Sequence, residues 1–324
     1  MRVTMQAAVD PTAAIVVNPR SGQAGEADAL AHRLMAGLGE RSISTRLVAF
    51  APGGPDPDGW RRDLRRLLSE GLDRVYVLGG DGTVLAIATQ LIGRGVPLGI
   101  VPLGTANLLA RDLELPLVPE EVVDALLDPN IRVIDVGRVN GELFLCASML
   151  GMTTGLAHAR ERGRGLGTWR LLPGMLRKAY WLLKRYPFRR VTLRFDDHLL
   201  SVSTRAMIVT NNPLRPRPGL YPGRHRLDQG ILGIYGVQEG PLWELPRLAL
   251  SLVAGTWPEE PRIFRRSARR VTIDTVRPYQ TRALNDGEFV QLRTPLHYDL
   301  LSAALPVLVP ASGDMGAADR PAAR

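Results

Sequence analysis

The sequence predicts an α/β domain built on a parallel sheet with helices on both faces, followed by a mainly antiparallel β domain. Three observations predict it. Strand-like and helix-like segments alternate with short links through roughly the first 135 residues. The texture then changes near Asp135 to runs of short alternating strands. Glycine-rich turns follow three of the early strands, where an open α/β sheet binds its ligand.

The elements read in order as follows. "AAIVV" (13–17) is a buried strand, followed by the turn-rich "NPRSGQAG". "ADALAHRLMAGL" (27–38) places Leu30, Leu34 and Leu38 on one helical face. "STRLVAF" (44–50) is a strand, "WRRDLRRLLSEGL" (60–72) an amphipathic helix, "RVYVL" (74–78) a strand and "VLAIATQLI" (84–92) a helix. "PLGIVPL" (97–103) is a strand, and "ANLLARDL" (106–113) opens another helix. From Asp135 onward, "IDVGRVNGELFLCASML" reads as a hairpin turning at Asn140-Gly141. "RRVTLRFDDHLLSVSTRAMIVTNN" (189–212) gives two strands around an Asp-Asp turn, and "ILGIYGV" and "RRVTIDTV" continue the pattern. The expected domains are 1–135 (α/β), 136–290 (β-rich) and a segment 291–311 returning to the first, with loose ends at 1–11 and 312–324.

Composition bounds the function. With 324 residues, two cores are the first expectation. The single cysteine, Cys146, excludes a disulfide framework, and five scattered histidines with no HExxH spacing argue against a zinc enzyme. No apolar run approaches the length of a membrane span and no signal peptide is evident, so the expected location is cytoplasmic, peripherally membrane-associated. The net charge of +9 is local. Ten Lys/Arg and one acid, Glu161, fall between His158 and Arg190, and the remaining 31 basic and 31 acidic residues balance. Within that segment, 168–188 has helical period, with Leu172, Met175, Leu176, Ala179, Leu182, Leu183 and Tyr186 on one face and five Lys/Arg on the other. Such a helix suits an anionic membrane surface, and equally a core-packing helix with a solvated back. A basic patch also allows nucleic acid, but no such motif accompanies it, so that partner is not expected.

The glycine turns carry the chemistry. Gly79-Gly80-Asp81-Gly82-Thr83 lies between a buried strand and a helix. Glycine lets backbone approach a ligand closely, and a helix N-terminus favours phosphate. The stretch is neither a Walker loop nor a G-x-G-x-x-G fingerprint, and taken alone it could be a tight turn with Asp81 as a helix cap. Two companions favour a phosphate pocket: Asn18, Pro19, Arg20, Ser21 and Gly22 after the first strand, and Gly104, Thr105 and Asn107 after the fourth.

NPxSG, GGDGT and PxGTxN in this order resemble the diacylglycerol kinase catalytic family of bacterial lipid kinases and sphingosine kinases, related to NAD kinases. The resemblance runs over about residues 12–310, and "DGE" (Asp286, Gly287, Glu288) completes the set. It implies ATP across the three loops, Mg²⁺, and a lipid substrate whose hydroxyl takes the γ-phosphate, diacylglycerol or a related lipid. It implies Glu288 as the base and Asp81 as the carboxylate orienting nucleotide or acceptor, with the reverse assignment open. Two positions depart from the family pattern. Gln229 stands where relatives carry a metal-linked aspartate, leaving Asp228 as the metal candidate, and Leu108 replaces the acid after Asn107. These departures keep open a non-catalytic nucleotide-binding membrane sensor, and GGDGT alone keeps open an NAD kinase-like enzyme.

Overall fold

The computed structural model describes residues 12–22, 25–116, 118–151, 189–196, 198–216, 223–224, 226–275 and 279–311. The helix expected at 168–188 lies outside them, as does all of the basic segment before Arg189. The chain forms two compact units. One runs to Val133 and resumes at Leu305, and the other spans Ile134–Ala304.

The first unit is a parallel sheet of β1 (Thr12–Val17), β2 (Ser44–Ala49), β3 (Arg74–Gly79) and β4 (Leu98–Pro102). Their order is β4-β3-β1-β2, and every neighbouring pair is parallel. The end of the last strand, β15 (Leu296–Val309), adds a fifth parallel strand through Val307 opposite Leu98. The crossovers are α1 (Glu26–Glu40), α2 (Gly59–Glu70) and α3 (Asp81–Leu91), followed by α4 (Leu108–Asp112) and α5 (Pro119–Ala125). The apolar runs of β1, β3 and β4 are buried, as strands covered on both faces must be.

One face of this sheet packs Ile15, Val17, Tyr76, Leu78 and Val101 against Leu30, Leu34 and Leu38 of α1 and Val122, Val123 and Leu126 at α5. The leucine spacing of α1 thus does what its period predicts. The other side takes Leu64 and Leu67 of α2 and Ile87 and Leu91 of α3, all buried. The strand order has a consequence for ligands. The chain steps from β1 to β2 on one side, then returns to place β3 on the other side of β1. The carboxyl ends of β1 and β3 therefore flank the point where the topology reverses, which is where open α/β sheets bind ligands.

β5 (Asn130–Val139) carries the chain into the second unit and pairs with β6 (Glu142–Phe144). Asn140 (φ 47°) and Gly141 (φ 93°) make the turn, two positive φ values that suit Asn-Gly. The second unit continues with β7 (Ala147–Gly151), β8 (Arg189–Arg194), β9 (Leu199–Asn211), β10 (Leu232–Gln238), β11 (Ile263–Ala268), β12 (Val271–Thr275), β13 (Gln280–Asn285) and β14 (Glu288–Arg293). They run antiparallel in the order β14-β13-β7-β9-β8-β12-β15, with β10 and β11 attached through β9. The core gathers Phe144, Leu193, Val209, Ile234, Phe264 and Tyr298. Residues 291–304, expected with the returning segment, belong to this unit, because Leu296–Tyr298 pair with Val271–Ile273 of β12. Helix α6 (Leu245–Ala254), between β10 and β11, is an element the strand pattern did not announce.

Leu34 is fully buried in the α1 seam. Leu34→Ala is expected to cost about 2–5 kcal/mol of stability, read as a lower urea midpoint.

Candidate functional site

In the first unit, all three glycine-rich turns are joined to one another. Asn18, at the carboxyl end of β1, donates its backbone N–H to Leu78 O (3.0 Å) and its side-chain amide to Thr83 Oγ (2.8 Å). Its own Oδ1 accepts Arg20 N–H at 3.0 Å, closing an Asx turn that shapes the NPRSG loop. Gly22 N–H donates to Leu103 O at 3.1 Å, and Leu103 N–H to Gly79 O at 3.0 Å. The loops after β1, β3 and β4 thus share one rim, and the Asn18–Thr83 bond spans the topological switch.

Asp81 makes the strongest of these ties. Oδ2 accepts Asn107 N–H at 2.9 Å and Oδ1 accepts Leu108 N–H at 2.7 Å. It caps the start of α4 across 26 residues of sequence, not the helix it begins. Burial pushes its carboxyl above the ordinary range, opposed first by the Leu108 and then by the Asn107 N–H. Asn107 completes the third loop. It holds φ 49°, which asparagine tolerates, while its side chain accepts Gly104 N–H and donates to Gly104 O, both at 2.9 Å.

Two glycines are required by contact. A Cβ on Gly104 would lie 2.7 Å from Gly80 Cα, and one on Gly80 would lie 3.2 Å from Gly104 Cα. The two backbones touch, so neither loop accepts a side chain there without parting from the other. Beneath them, Gly82 and Thr83 stand in the first turn of α3, where N–H groups have no partner within the helix. The rim is therefore a concentration of oriented N–H dipoles at a helix start, with Thr105, Arg20 and Gly22 exposed. Such a surface is chemically suited to an anion.

The second unit holds the other candidates apart from this rim in sequence. Asp286 and Gly287, with φ 47° and 95°, turn the β13–β14 hairpin. Asp286 is buried, and its carboxylate accepts the N–H groups of Leu145, Cys146 (2.9 Å) and Ala147 (2.9 Å). Burial drives its carboxyl up to about 6 despite those donors and the nearby Arg224. Arg224 itself is buried and donates to Leu145 O and Asn211 O, each at 2.7 Å. Glu288, two residues on, is exposed at the start of β14 opposite Asn285. The DGE motif thus has two parts: Asp286 anchors the hairpin, and Glu288 is presented to solvent.

Asp228, the metal candidate, is paired with Arg226 (Nε to Oδ1 3.0 Å). Among the described residues, no group of three or more His, Cys, Asp or Glu is placed to hold a metal ion. The carboxylate that organises this stretch is Asp135, which sequence reasoning missed. It is buried and accepts Gly230 N–H (2.7 Å), Ala303 N–H (2.9 Å) and the Asn212 amide (3.2 Å). Its one signal in the sequence was an acid inside the apolar strand "VIDVG".

With this geometry in place, residues 12–139 match the diacylglycerol kinase catalytic domain. A diacylglycerol kinase of Mycobacterium tuberculosis (strain H37Rv) is 37% identical over 128 residues, 39% of this chain. A YegS-like probable lipid kinase of Pseudomonas aeruginosa (PAO1) is 48% identical over 89 residues, 26% of this chain. The chain spans 40% and 29% of the lengths of these two relatives. The fold likeness is wider. A crystal structure of a diacylglycerol kinase from Bacillus anthracis superposes with a TM-score of 0.66 at 18% identity, covering 95% of this chain and 99% of that one. The matched segment contains the whole rim, from Asn18 to Asn107.

Two measurements probe these carboxylates. Asp81→Ala leaves two N–H groups at the start of α4 without their acceptor and is expected to cost about 1–3 kcal/mol in urea unfolding. Asp286 has a raised folded pKa, so the folded state holds its proton longer than the unfolded chain does. Its contribution to stability is therefore largest at acid pH and falls as pH rises from about 4 to about 6. The stability of wild type minus that of Asp286→Asn, measured by urea unfolding across that window, is expected to decrease by up to about 3 kcal/mol.

Proposed function

We propose that this protein is an ATP-dependent lipid kinase that transfers the γ-phosphate to a lipid hydroxyl, that of diacylglycerol or a related lipid. The observation that carries the reading is the joined rim of the first unit: three loops, tied through Asn18, Asp81 and Asn107, that turn N–H groups and a helix start toward one anion site at the switch point. Phosphoryl transfer needs positioning and charge stabilisation more than covalent help from the protein, and a rim of fixed dipoles supplies both.

The fit to a nucleotide triphosphate rests on the Gly80–Gly104 contact, which keeps side chains out of the rim where phosphate approaches backbone. Mg²⁺ would supply charge neutralisation on the phosphate oxygens. It is commonly held by substrate phosphates with one or two carboxylates, so no three-ligand cage is required of this chain. Asp228, held by Arg226, is the weaker candidate for that role than it was in the sequence.

In this reading Glu288 accepts the proton of the attacking hydroxyl. What supports Glu288 over Asp81 is availability. Both Asp81 oxygens are taken by backbone N–H groups, while Glu288 is exposed and carries no hydrogen bond or ion pair among the described residues. Asp81 then acts by fixing the rim.

The test is phosphate transfer from labelled ATP to diacylglycerol in mixed micelles. Glu288→Gln is expected to lower kcat by about 10²–10⁴-fold with the KM for ATP little changed. Full activity in Glu288→Gln would remove it as the base, and no transfer to any lipid hydroxyl by wild type would sink the kinase reading.

A further inference from the structure

The 24 residues between β10 and β11 form a tethered segment whose outward side is apolar and basic. It consists of a 3₁₀ turn (Leu242–Glu244), α6, and a second 3₁₀ turn (Trp257–Glu259). The inward side is anchored. Leu248, Ser251 and Trp257 are buried, and the Trp257 ring meets Tyr235 of β10 edge-on at 5.5 Å. Arg262 holds the start of the segment through Pro241 O (3.0 Å) and Glu244 (3.3 Å), and Arg247 meets Glu260 at 3.2 Å.

The outward side is the reverse. Trp243 is 81% exposed and Leu250 69%, the two largest exposures among the large apolar side chains described. Arg247, Leu250 and Ala254 follow one another at helical spacing on the solvent side of α6, with Trp243 four residues ahead of Arg247. Holding a tryptophan and a leucine in water on a pinned segment is costly unless something covers them.

The charge around them says what that is. Tyr235 and Arg265 are directly opposite in the β10–β11 ladder, so both project from the face on which the segment sits. Arg265 on that face, and Arg269 just past the end of β11, are exposed and carry no ion pair among the described residues, while Glu244 and Glu260 are neutralised by Arg262 and Arg247; Arg266, the next residue of β11, projects from the opposite face. An exposed tryptophan and leucine beside uncompensated arginines fit the boundary of a bilayer with anionic headgroups, where the indole sits at headgroup depth and the guanidinium groups meet phosphate. A protein partner would match the apolar pair but gives no reason for the unpaired arginines.

We propose that the Trp243–Leu250 face of the β10–β11 segment, with Arg265, docks on an anionic lipid surface. This rests on the lipid kinase reading only in that such an enzyme must reach acceptors in a bilayer; the surface is defined by its own exposure and charge. It is a different surface from the basic segment 158–190.

The test is sedimentation of the full chain with phosphatidylcholine vesicles, with and without phosphatidylglycerol. Wild type is expected to bind the anionic vesicles, more weakly as salt rises, and with a blue shift of tryptophan emission that Trp243→Phe diminishes. Trp243→Ser with Leu250→Ser is expected to weaken binding by about tenfold or more, and Arg265→Glu to remove most of the preference for anionic vesicles. All three side chains are exposed, so both variants should keep the wild-type melting temperature. Unchanged sedimentation of the Trp243/Leu250 variant would overturn the proposal. So would a wild-type dimer that this variant makes monomeric without any wild-type vesicle binding, since a second copy then covers the face. A parallel assay with short-chain dioctanoylglycerol, dispersed in water, separates the two readings. Loss of vesicle binding with this activity intact supports the docking face. Loss of vesicle binding in a protein whose wild type phosphorylates no acceptor leaves the face standing and removes the kinase.

Discussion

The candidate site depends on one interaction, the grip of the Asp81 carboxylate on the N–H groups of Asn107 and Leu108. Those three residues belong to two loops separated by a complete helix and strand. A half-buried carboxylate is costly, and its raised pKa records that cost. Two backbone donors at a helix start offset it, and in return the loops after β3 and β4 become one body. That tie, with the Leu103–Gly79 bond, holds the two loops where Gly80 and Gly104 touch, a contact that a side chain on Gly104 would break.

The parallel topology determines where this matters. The reversal of strand order puts the ends of β1 and β3 side by side, and Asn18 closes the gap between them through Thr83. Each joining side chain is a small polar residue with both a donor and an acceptor, or a carboxylate. This ties the rim together internally. The same economy appears in the second unit, where Asp135 and Asp286 hold strand ends and turns by backbone N–H groups. There, too, a buried acid serves to fix a neighbouring segment: the 229–230 turn in one case, and the hairpin that presents Glu288 in the other.

Much of the architecture was legible in the residues because it follows from local pattern. The leucines of α1 at 30, 34 and 38, the apolar runs of β1, β3 and β4, and the Asn140-Gly141 turn each state their structure within a few residues. Helix α6 was missed because it is short, opens on Leu-Pro, and follows a strand in a region of alternating strands. The end of the second unit was placed early because a strand that pairs with β12 at its start and with β4 at its end has no break in sequence between the two.

The sequence by itself determined the fold class, the three loops and the residues in them, because hydrophobic period and glycine placement are local properties. Only the tertiary structure decided what the acids do. Asp81 read as the carboxylate orienting nucleotide or acceptor and, for its loop taken alone, as a cap of its own helix; its carboxylate caps a different one. Asp135 read only as the point where the texture of the chain changes, and became the organiser of a turn 95 residues away. A carboxylate's role is set by which donors fold around it, and those donors are backbone groups that every residue carries, so no spacing of residue types could have announced them.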